Sequence, residues 1–324
     1  MVSTRLYRDG ALSAEDFPVE QVAEHIHDPA ATVWVDLPAP ADADIAVIAD
    51  ELGLHRLAVE DALHDELQRP KLDHYDSHLF LVAYVVRLDP ATGVLEAGEL
   101  AAFITERALV TVHRDEHLDL GDVLRRWDDS TELAESGVAF LVHGLLDHIV
   151  DGQFAAVQTL DDEVEALEEL MFEDRPTDRD LQRRAVRLRK NLTTLRRVVL
   201  PMRELVDDLR HPDHDLAGGT LGPYFQDVYD NVRRTTERLQ GLRELVATLR
   251  ETQLNLQSTR LNMIMKKVTS WAAVIAVPTA VTGYYGQNVP YPGSEQVSGF
   301  WMSTVVIVLL SCGLYWLFKR RDWL

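Results

Sequence analysis

The chain has a single cysteine in 324 residues. Cys312 has no partner for an intramolecular disulfide, and a cysteine-based metal centre is excluded. That usage fits a reducing compartment. There is no Gly-x-x-x-x-Gly-Lys-Ser/Thr phosphate loop and no His-Glu-x-x-His pair, so no enzyme activity or organic cofactor is expected. The opening stretch "MVSTRLYRDGALSAEDF" lacks an apolar core of signal-peptide length, so the bulk of the chain is expected not to be exported. Basic residues are scarce as well, 32 against 53 acidic, for a net charge of −21. The deficit lies before Lys266: residues 1–265 carry 27 basic and 51 acidic residues, a net of −24. Such a field repels nucleic acid and attracts cations, and it equally serves as a solvated surface that keeps a domain soluble.

Charge is missing altogether from two adjacent stretches, Val268 to Ser294 and Val297 to Phe318. Each supplies the roughly 20 apolar residues that cross a bilayer core. Their outer flanks are basic: Lys266-Lys267 before the first, Lys319-Arg320-Arg321 after the second. The link between them has no Lys or Arg. The positive-inside rule predicts both chain ends in the cytoplasm and the link outside. A multi-pass protein of the inner (plasma) membrane is expected, with the lipid bilayer as a partner.

The length prior leaves room for about two domains. Residues 1–120 mix strand-like runs, "TVWVDL" (32–37), "SHLFLVAYVVRL" (77–88), "ELAAFIT" (99–105) and "ALVTVH" (108–113), with the helical spacing of "ADIAVIADELGL" (43–54). This predicts an α+β cytoplasmic domain, a mixed sheet with flanking helices. Residues 121–222 read as a helical hairpin region punctuated by Pro176, with Pro201 inside its second helix and a loop at "HPDHDLAGGT" (211–220). The two histidines of "HPDH" could hold a metal or merely solvate a linker. The acids at 161–169 could be a carboxylate site or a charged helix face. Residues 223–285 read as one long stalk helix, on the order of 90 Å at 1.5 Å per residue, whose end from about 268 is the first span. Residues 286–296 are the outer loop, 297–318 the second span and 319–324 a basic tail.

Steps of three and four along the end of the stalk select Thr248, Glu251, Asn255, Ser258, Asn262, Met265, Thr269, Ala272, Ala276, Thr279 and Gly283. All but Met265 are small or polar. Close helix packing through small residues explains such a stripe. So does a water-filled axis, and Asn262 and Glu251, in line with the membrane stretch, favour it. One hairpin cannot enclose a pore, so that reading requires an oligomer.

Together with "QRPKLDHYDSHLFLV" (68–82), "LDDEVEALEELMFEDRP" (160–176), "KNLTTLRRVVLPMRE" (190–204), "PYFQDVYD" (223–230), "NMIMK" (262–266), the "YGQN" turn and the tail "KRRDWL", the chain resembles the CorA family of divalent-cation transport proteins. These are two-span proteins marked by Gly-x-Asn. The resemblance covers nearly the whole chain. It implies a homopentameric channel or carrier with Mg²⁺, or another divalent cation, as substrate and regulatory ligand. It places the entrance at Gly286, Gln287 and Asn288, where amides can hydrogen-bond to the water shell of an ion that dehydrates reluctantly. Gly286 is expected to serve a tight approach and a positive φ. The resemblance also implies pore lining at Asn262, Met265 and Thr279, and a regulatory metal shared between Asp227 of one subunit and Asp89 of its neighbour.

Three departures bear on the ion and the gate. Gln287 stands where the magnesium transporters usually have methionine, and zinc transporters of the ZntB type also differ there. Glu295 is the only acid of "VPYPGSEQ". The neck keeps Met265 and Val268 but is light at Ala276.

Overall fold

The computed structural model describes residues 2–40, 42–64, 68–89, 92–114, 118, 120–172, 178–211, 216–287 and 296–323. The chain divides into two compact units, Met1–Val246 and Ala247–Leu324.

The first unit is built on one seven-stranded sheet. Its strands are β1 (Ser3–Arg8), β2 (Ala11–Glu15), β3 (Ala31–Pro38), β4 (Lys71–His74), β5 (Leu79–Leu88), β6 (Leu95–Ile104) and β7 (Ala108–His113), in the order β2-β1-β3-β7-β6-β5-β4. Every neighbouring pair is antiparallel except β3 and β7, whose register sets Trp34 beside Leu109 and Asp36 beside Thr111. That parallel pair is the centre of the sheet, and β7 is buried at every residue, as a parallel strand covered on both faces must be. The β1–β2 hairpin was not foreseen. Its signal is the Asp9-Gly10 turn, where both residues hold positive φ, 48° and 77°. Two-residue hairpin turns favour this dipeptide for that reason.

Three short helices flank β3 in sequence: α1 (Val22–Ile26) before it, α2 (Asp42–Leu52) and α3 (Arg56–Leu63) after it. After β7 come α4 (Gly121–Asp129), α5 (Thr131–Ala134), α6 (Val138–Phe172) and α7 (Asp178–Leu209). The stretch from Val123 reads in sequence as helix with few breaks. It is instead cut twice before α6, at Ser130 and again at Gly137, whose φ of +63° ends the helical path. The break lets α4 fold onto α6 and bring Trp127 against Trp34 edge to face, ring centroids 5.5 Å apart. Helix α6 packs on β5, and α7 on β4, β5 and β6. The core they close holds Trp34, Trp127, Leu100, Leu109, Leu146 and Phe225, all within 1% of full burial. Pro176 and residues 212–215 of the loop containing the paired histidines lie outside the described residues.

A 3₁₀ turn at Gly219–Leu221 leads into α8 (Gly222–Tyr285), 64 residues without interruption, with Gly241 and Pro278 inside it. Its first turns bury Phe225, Val228 and Val232 in the first unit. Its last part and α9 (Val297–Arg320) make up the second unit.

Candidate ion pathway and regulatory carboxylates

The second unit inverts the burial rule of the first. Val268, Ile275, Phe300, Trp301, Val308 and Leu309 are more than half exposed. Among the described helices, α8 and α9 are long and apolar enough to cross a membrane. Exposed side chains of this kind fit lipid tails, whereas in water they would form an unmanageable patch.

The two helices touch through Trp271 and Tyr315, ring centroids 6.3 Å apart. This contact lies 14 residues before the end of α8 and 18 after the start of α9, as in an antiparallel hairpin. On α8 the more buried positions are Ser270, Ala273, Val274, Val277, Pro278, Val281 and Tyr285. On α9 they are Gly299, Ser303, Thr304, Val306, Ile307, Ser311, Leu314 and Phe318. Both sets repeat every three or four residues, one face of each helix. Small residues at these places let two backbones approach.

The polar stripe falls elsewhere. All eleven of its positions, Thr248, Glu251, Asn255, Ser258, Asn262, Met265, Thr269, Ala272, Ala276, Thr279 and Gly283, are exposed. At 100° per residue the stripe lies roughly 130° around α8 from the face that carries Ser270, Val274, Val277 and Val281. Packing within one hairpin therefore does not account for it. Thr279 donates its hydroxyl hydrogen to the Ile275 carbonyl (3.3 Å), which leaves the oxygen lone pairs available on the stripe. Thr282, beside the stripe, donates to the Pro278 carbonyl at 2.8 Å.

Just past the C-terminal end of α8 the Gly286 amide donates to the Thr282 carbonyl (2.8 Å) and the Gln287 amide to the Tyr284 carbonyl (3.3 Å). Gly286 does not adopt the expected positive φ; among the described residues the positive-φ glycines are Gly10, Gly53, Gly93, Gly137 and Gly219. Its requirement is space. A Cβ at Gly286 would sit 3.1 Å from the Thr282 carbonyl oxygen, tighter than a side chain tolerates without a shift. Gln287 is exposed beyond this turn. Asn288, Pro290, Pro292 and Glu295 lie outside the described residues.

The two acids expected to share a metal stand on different elements. Asp227 is exposed in the second turn of α8. Asp89 ends the hairpin arm after β5, where Thr92 donates its hydroxyl to the Asp89 carboxylate at 2.6 Å. Helix α7 fixes this turn: Arg187 donates to the Thr92 carbonyl (3.0 Å), and Asn191 donates to the Gly93 carbonyl (2.8 Å) while accepting from the Leu95 amide (3.1 Å).

Around Asp227 the structure adds residues that sequence reasoning missed. His143 on α6 packs edge-on against Tyr224 and Phe225, both at 5.6 Å. Burial holds its imidazole below the usual range, and Arg126 adds to that, while Asp147 and Asp227 pull the other way. One turn on, burial lifts the Asp147 carboxyl above the usual carboxylate value, with Asp151 adding and Arg126 opposing. Arg126 of α4 bonds Asp147 and also reaches Asp151 at 3.4 Å. The signal in sequence was the spacing of four in "HGLLDHIVD", which aligns His143, Asp147 and Asp151 on one helix face. Among the described residues, no group of three or more His, Cys, Asp or Glu is arranged to hold a metal within one chain.

Comparison with known proteins agrees with this arrangement. The model of the CorA-like Mg²⁺ transporter proteins matches residues 29–320. The cobalt/magnesium transport protein CorA of Thermotoga maritima is 26% identical over 340 aligned positions, spanning 100% of this chain and 95% of that protein. The zinc transport protein ZntB of Yersinia pseudotuberculosis is 23% identical, over 82% of this chain and 80% of its own. The solved structure of the CorA magnesium transporter of Methanocaldococcus jannaschii superposes with a TM-score of 0.77 at 19% identity, covering 100% of this chain and 98% of the other. That likeness extends the agreement to the fold, a mixed sheet with helices followed by a long helix and a second apolar one. With 292 consecutive residues matched and two membrane-length helices exposing their apolar surface, the chain belongs to the CorA family of divalent-cation transporters, membrane proteins that move ions and are not enzymes.

Proposed function

We propose that the protein is a homopentamer that moves Mg²⁺ into the cytoplasm along an axis lined by the polar stripe of α8. The observation that carries this reading is the exposure of all eleven stripe positions on a helix whose other face meets α9. A surface of Thr, Ala and Gly at membrane depth, continued by Asn262 just before it, needs either protein or water against it. Copies of the same helix around a closed axis supply both. Glu251, Asn262, Met265, Thr269, Ala272, Ala276, Thr279 and Gly283 line the path. Gly286, Gln287 and Asn288 form its outer mouth, where amides hydrogen-bond to a hydrated ion and leave the water shell intact.

On this reading residues 1–120 and 121–222 are cytoplasmic, and 223–285 carry the stalk into the first span. Residues 286–296 face outward, 297–318 return, and 319–324 end in the cytoplasm, with the protein in the inner (plasma) membrane. An inside-negative potential favours uptake by about 2.3 kcal/mol per charge per 100 mV. Asp227 and a neighbour's Asp89 bind the same ion from the cytoplasm. Occupancy screens the carboxylates and holds the ring closed; loss of the ion lets like charges repel and opens it. The turn that presents Asp89, fixed by Arg187 and Asn191, supports the role through its rigidity.

A second reading, transport of Zn²⁺, Co²⁺ or Ni²⁺, is favoured by two observations. The longer amide of Gln287 stands in the mouth, and the relatives include a zinc transport protein.

The experiment is selectivity measured beside assembly. Fluxes of Mg²⁺, Zn²⁺, Co²⁺ and Ni²⁺ into liposomes are compared for wild type and Gln287→Met, with the oligomer mass taken on the same sample. The proposal expects pentamers that pass Mg²⁺ best, and a profile that shifts in the variant. A Zn²⁺-first profile selects the second reading, and a dimer removes the axis. In parallel, divalent-dependent protection from protease should vanish in Asp227→Ala. Protection that persists refutes the regulatory site.

A further inference from the structure

Five cations gather at one level of the second unit. Trp271 touches Tyr315 across the hairpin. Lys266 and Lys267 lie about one turn before Trp271 on α8, and Lys319 and Arg320 about one turn after Tyr315 on α9, with Arg321 next. Because the helices run in opposite directions, both groups fall at the same end of the hairpin. All five are exposed. Among the described residues none of them forms an ion pair within the chain, although the chain carries 53 acidic residues.

Nor are they needed to cap α9. The backbone amides of Arg321, Asp322 and Trp323 already donate to the carbonyls of Leu317, Phe318 and Lys319. Aromatic rings lie against two of the cations. Lys319 lies 5.9 Å from the Tyr315 ring centre, and the Arg320 guanidinium 5.3 Å from that of Trp316. Trp323 stacks on Phe318 at 5.7 Å and 7°. Trp271 and Trp316 remain 52% and 61% exposed. Exposed indoles beside ring-supported cations at the end of an apolar helix suit an interface that is oily on one side and anionic on the other.

We propose that Lys266, Lys267, Lys319, Arg320 and Arg321, with Trp271 and Trp316, form a binding site for the phosphate headgroup of an anionic phospholipid at the inner surface of the membrane. The inference rests on the two-span reading. The exposed aromatic rings and apolar flank assign the headgroup to a lipid, since a free anion gains nothing from them. Basic side chains at this depth are attracted to anionic leaflets and lose that attraction as salt rises.

The test uses the full-length protein carrying Trp301→Phe, in phosphatidylcholine nanodiscs. Brominated phosphatidylglycerol or brominated phosphatidylcholine is titrated in, and tryptophan quenching is read. Trp34 and Trp127, buried in the first unit, give a constant background. The half-quenching mole fraction should be about tenfold lower for the anionic lipid. That preference should collapse in the Lys267→Gln/Lys319→Gln/Arg320→Gln variant. It should also collapse for the parent protein as salt is raised, a measurement that needs no variant to fold. Equal quenching by the two lipids overturns the site and leaves the spans standing. A preference retained in the variant or in high salt overturns it as well. A preference abolished by millimolar inorganic phosphate marks a free-anion site and overturns the lipid. An absence of quenching by either lipid overturns the site together with the two-span reading.

Discussion

Trp34 and Trp127 are 1% and 0% exposed, whereas Trp271, Trp301 and Trp316 are 52%, 63% and 61% exposed. The first pair belongs to the sheet unit, the second three to the helical hairpin. One side chain thus follows opposite rules in two parts of one chain, and the difference lies in the solvent. In the first unit water drives apolar area inward, and the tryptophans meet edge to face under α4 and α6. In the hairpin the surroundings are as apolar as the side chains, so nothing drives them in. There the more buried positions include Ser270, Gly299, Ser303 and Ser311, because small residues let the two backbones approach. Ser270 and Ser311 keep buried hydroxyl oxygens without a partner among the described residues.

The contrast can be broken at its strongest point first. Trp127→Ala empties the centre of the first unit and should cost about 3–5 kcal/mol, read as a loss of amide-exchange protection across β3, β6 and β7 in the intact protein. Protection unchanged there would mean the two tryptophans do not anchor the sheet.

Charge substitution then separates the two kinds of exposure. Val186 and Leu309 are 70% and 67% exposed. Leu309→Arg should cost about 2.5–3.5 kcal/mol in a membrane-insertion assay. Val186→Arg should change stability by no more than about 0.5 kcal/mol. Equal effects would place both residues in water.

Next comes the division within α8 itself. Asn262→Leu or Thr279→Leu narrows and dries the stripe, and ion flux should fall on the order of tenfold. Ile275→Leu, off the stripe and 64% exposed, should leave flux unchanged. If all three behave alike, the stripe is packing surface.

The smallest effect concerns a buried histidine. His78 is 4% exposed, its Nε2 has no partner among the described residues, and its Nδ1 meets the Ser77 hydroxyl at 2.9 Å. Tyr75 stacks on it at 5.0 Å, and His55 stacks on the other side of Tyr75 at 4.6 Å. Burial lowers its pKa from the usual 6.5, and His55 adds to the shift. The unfolded chain therefore binds the proton more readily, and stability is lost as pH falls below about 6.5 towards the folded value. Exchange protection in β5 and β6 should weaken between pH 7 and 5 in the wild type by less than about 1 kcal/mol, and be flatter in His78→Gln. An equal slope in both proteins would assign the effect elsewhere.

Much of this organisation was legible in residue order. Runs of β-rich residues marked β3, β5, β6 and β7, and uncharged stretches marked both spans. What stayed hidden depends on distant neighbours. Gly137 reads as one glycine in a helical run, and only Trp127 seeking Trp34 explains why the helix breaks there. Asp9-Gly10 carried a readable turn signal, yet β2 exposes nearly every residue and so shows no apolar alternation. His143 and Asp147 matter through α8, which lies some 80 residues further on, and no local pattern announces that meeting. At Gly286 the expected positive φ is absent, and the limit on a side chain there is set by the Thr282 carbonyl, four residues earlier, a contact no local pattern displays.

Everything turns on whether divalent ions cross the membrane through this protein. The direct measurement is Mg²⁺ uptake into liposomes containing purified, intact oligomers, read by an enclosed indicator as an inside-negative potential is imposed. Uptake should exceed that of protein-free liposomes and rise with the potential. Uptake no greater than that of the empty liposomes, with the oligomer intact, would contradict such transport.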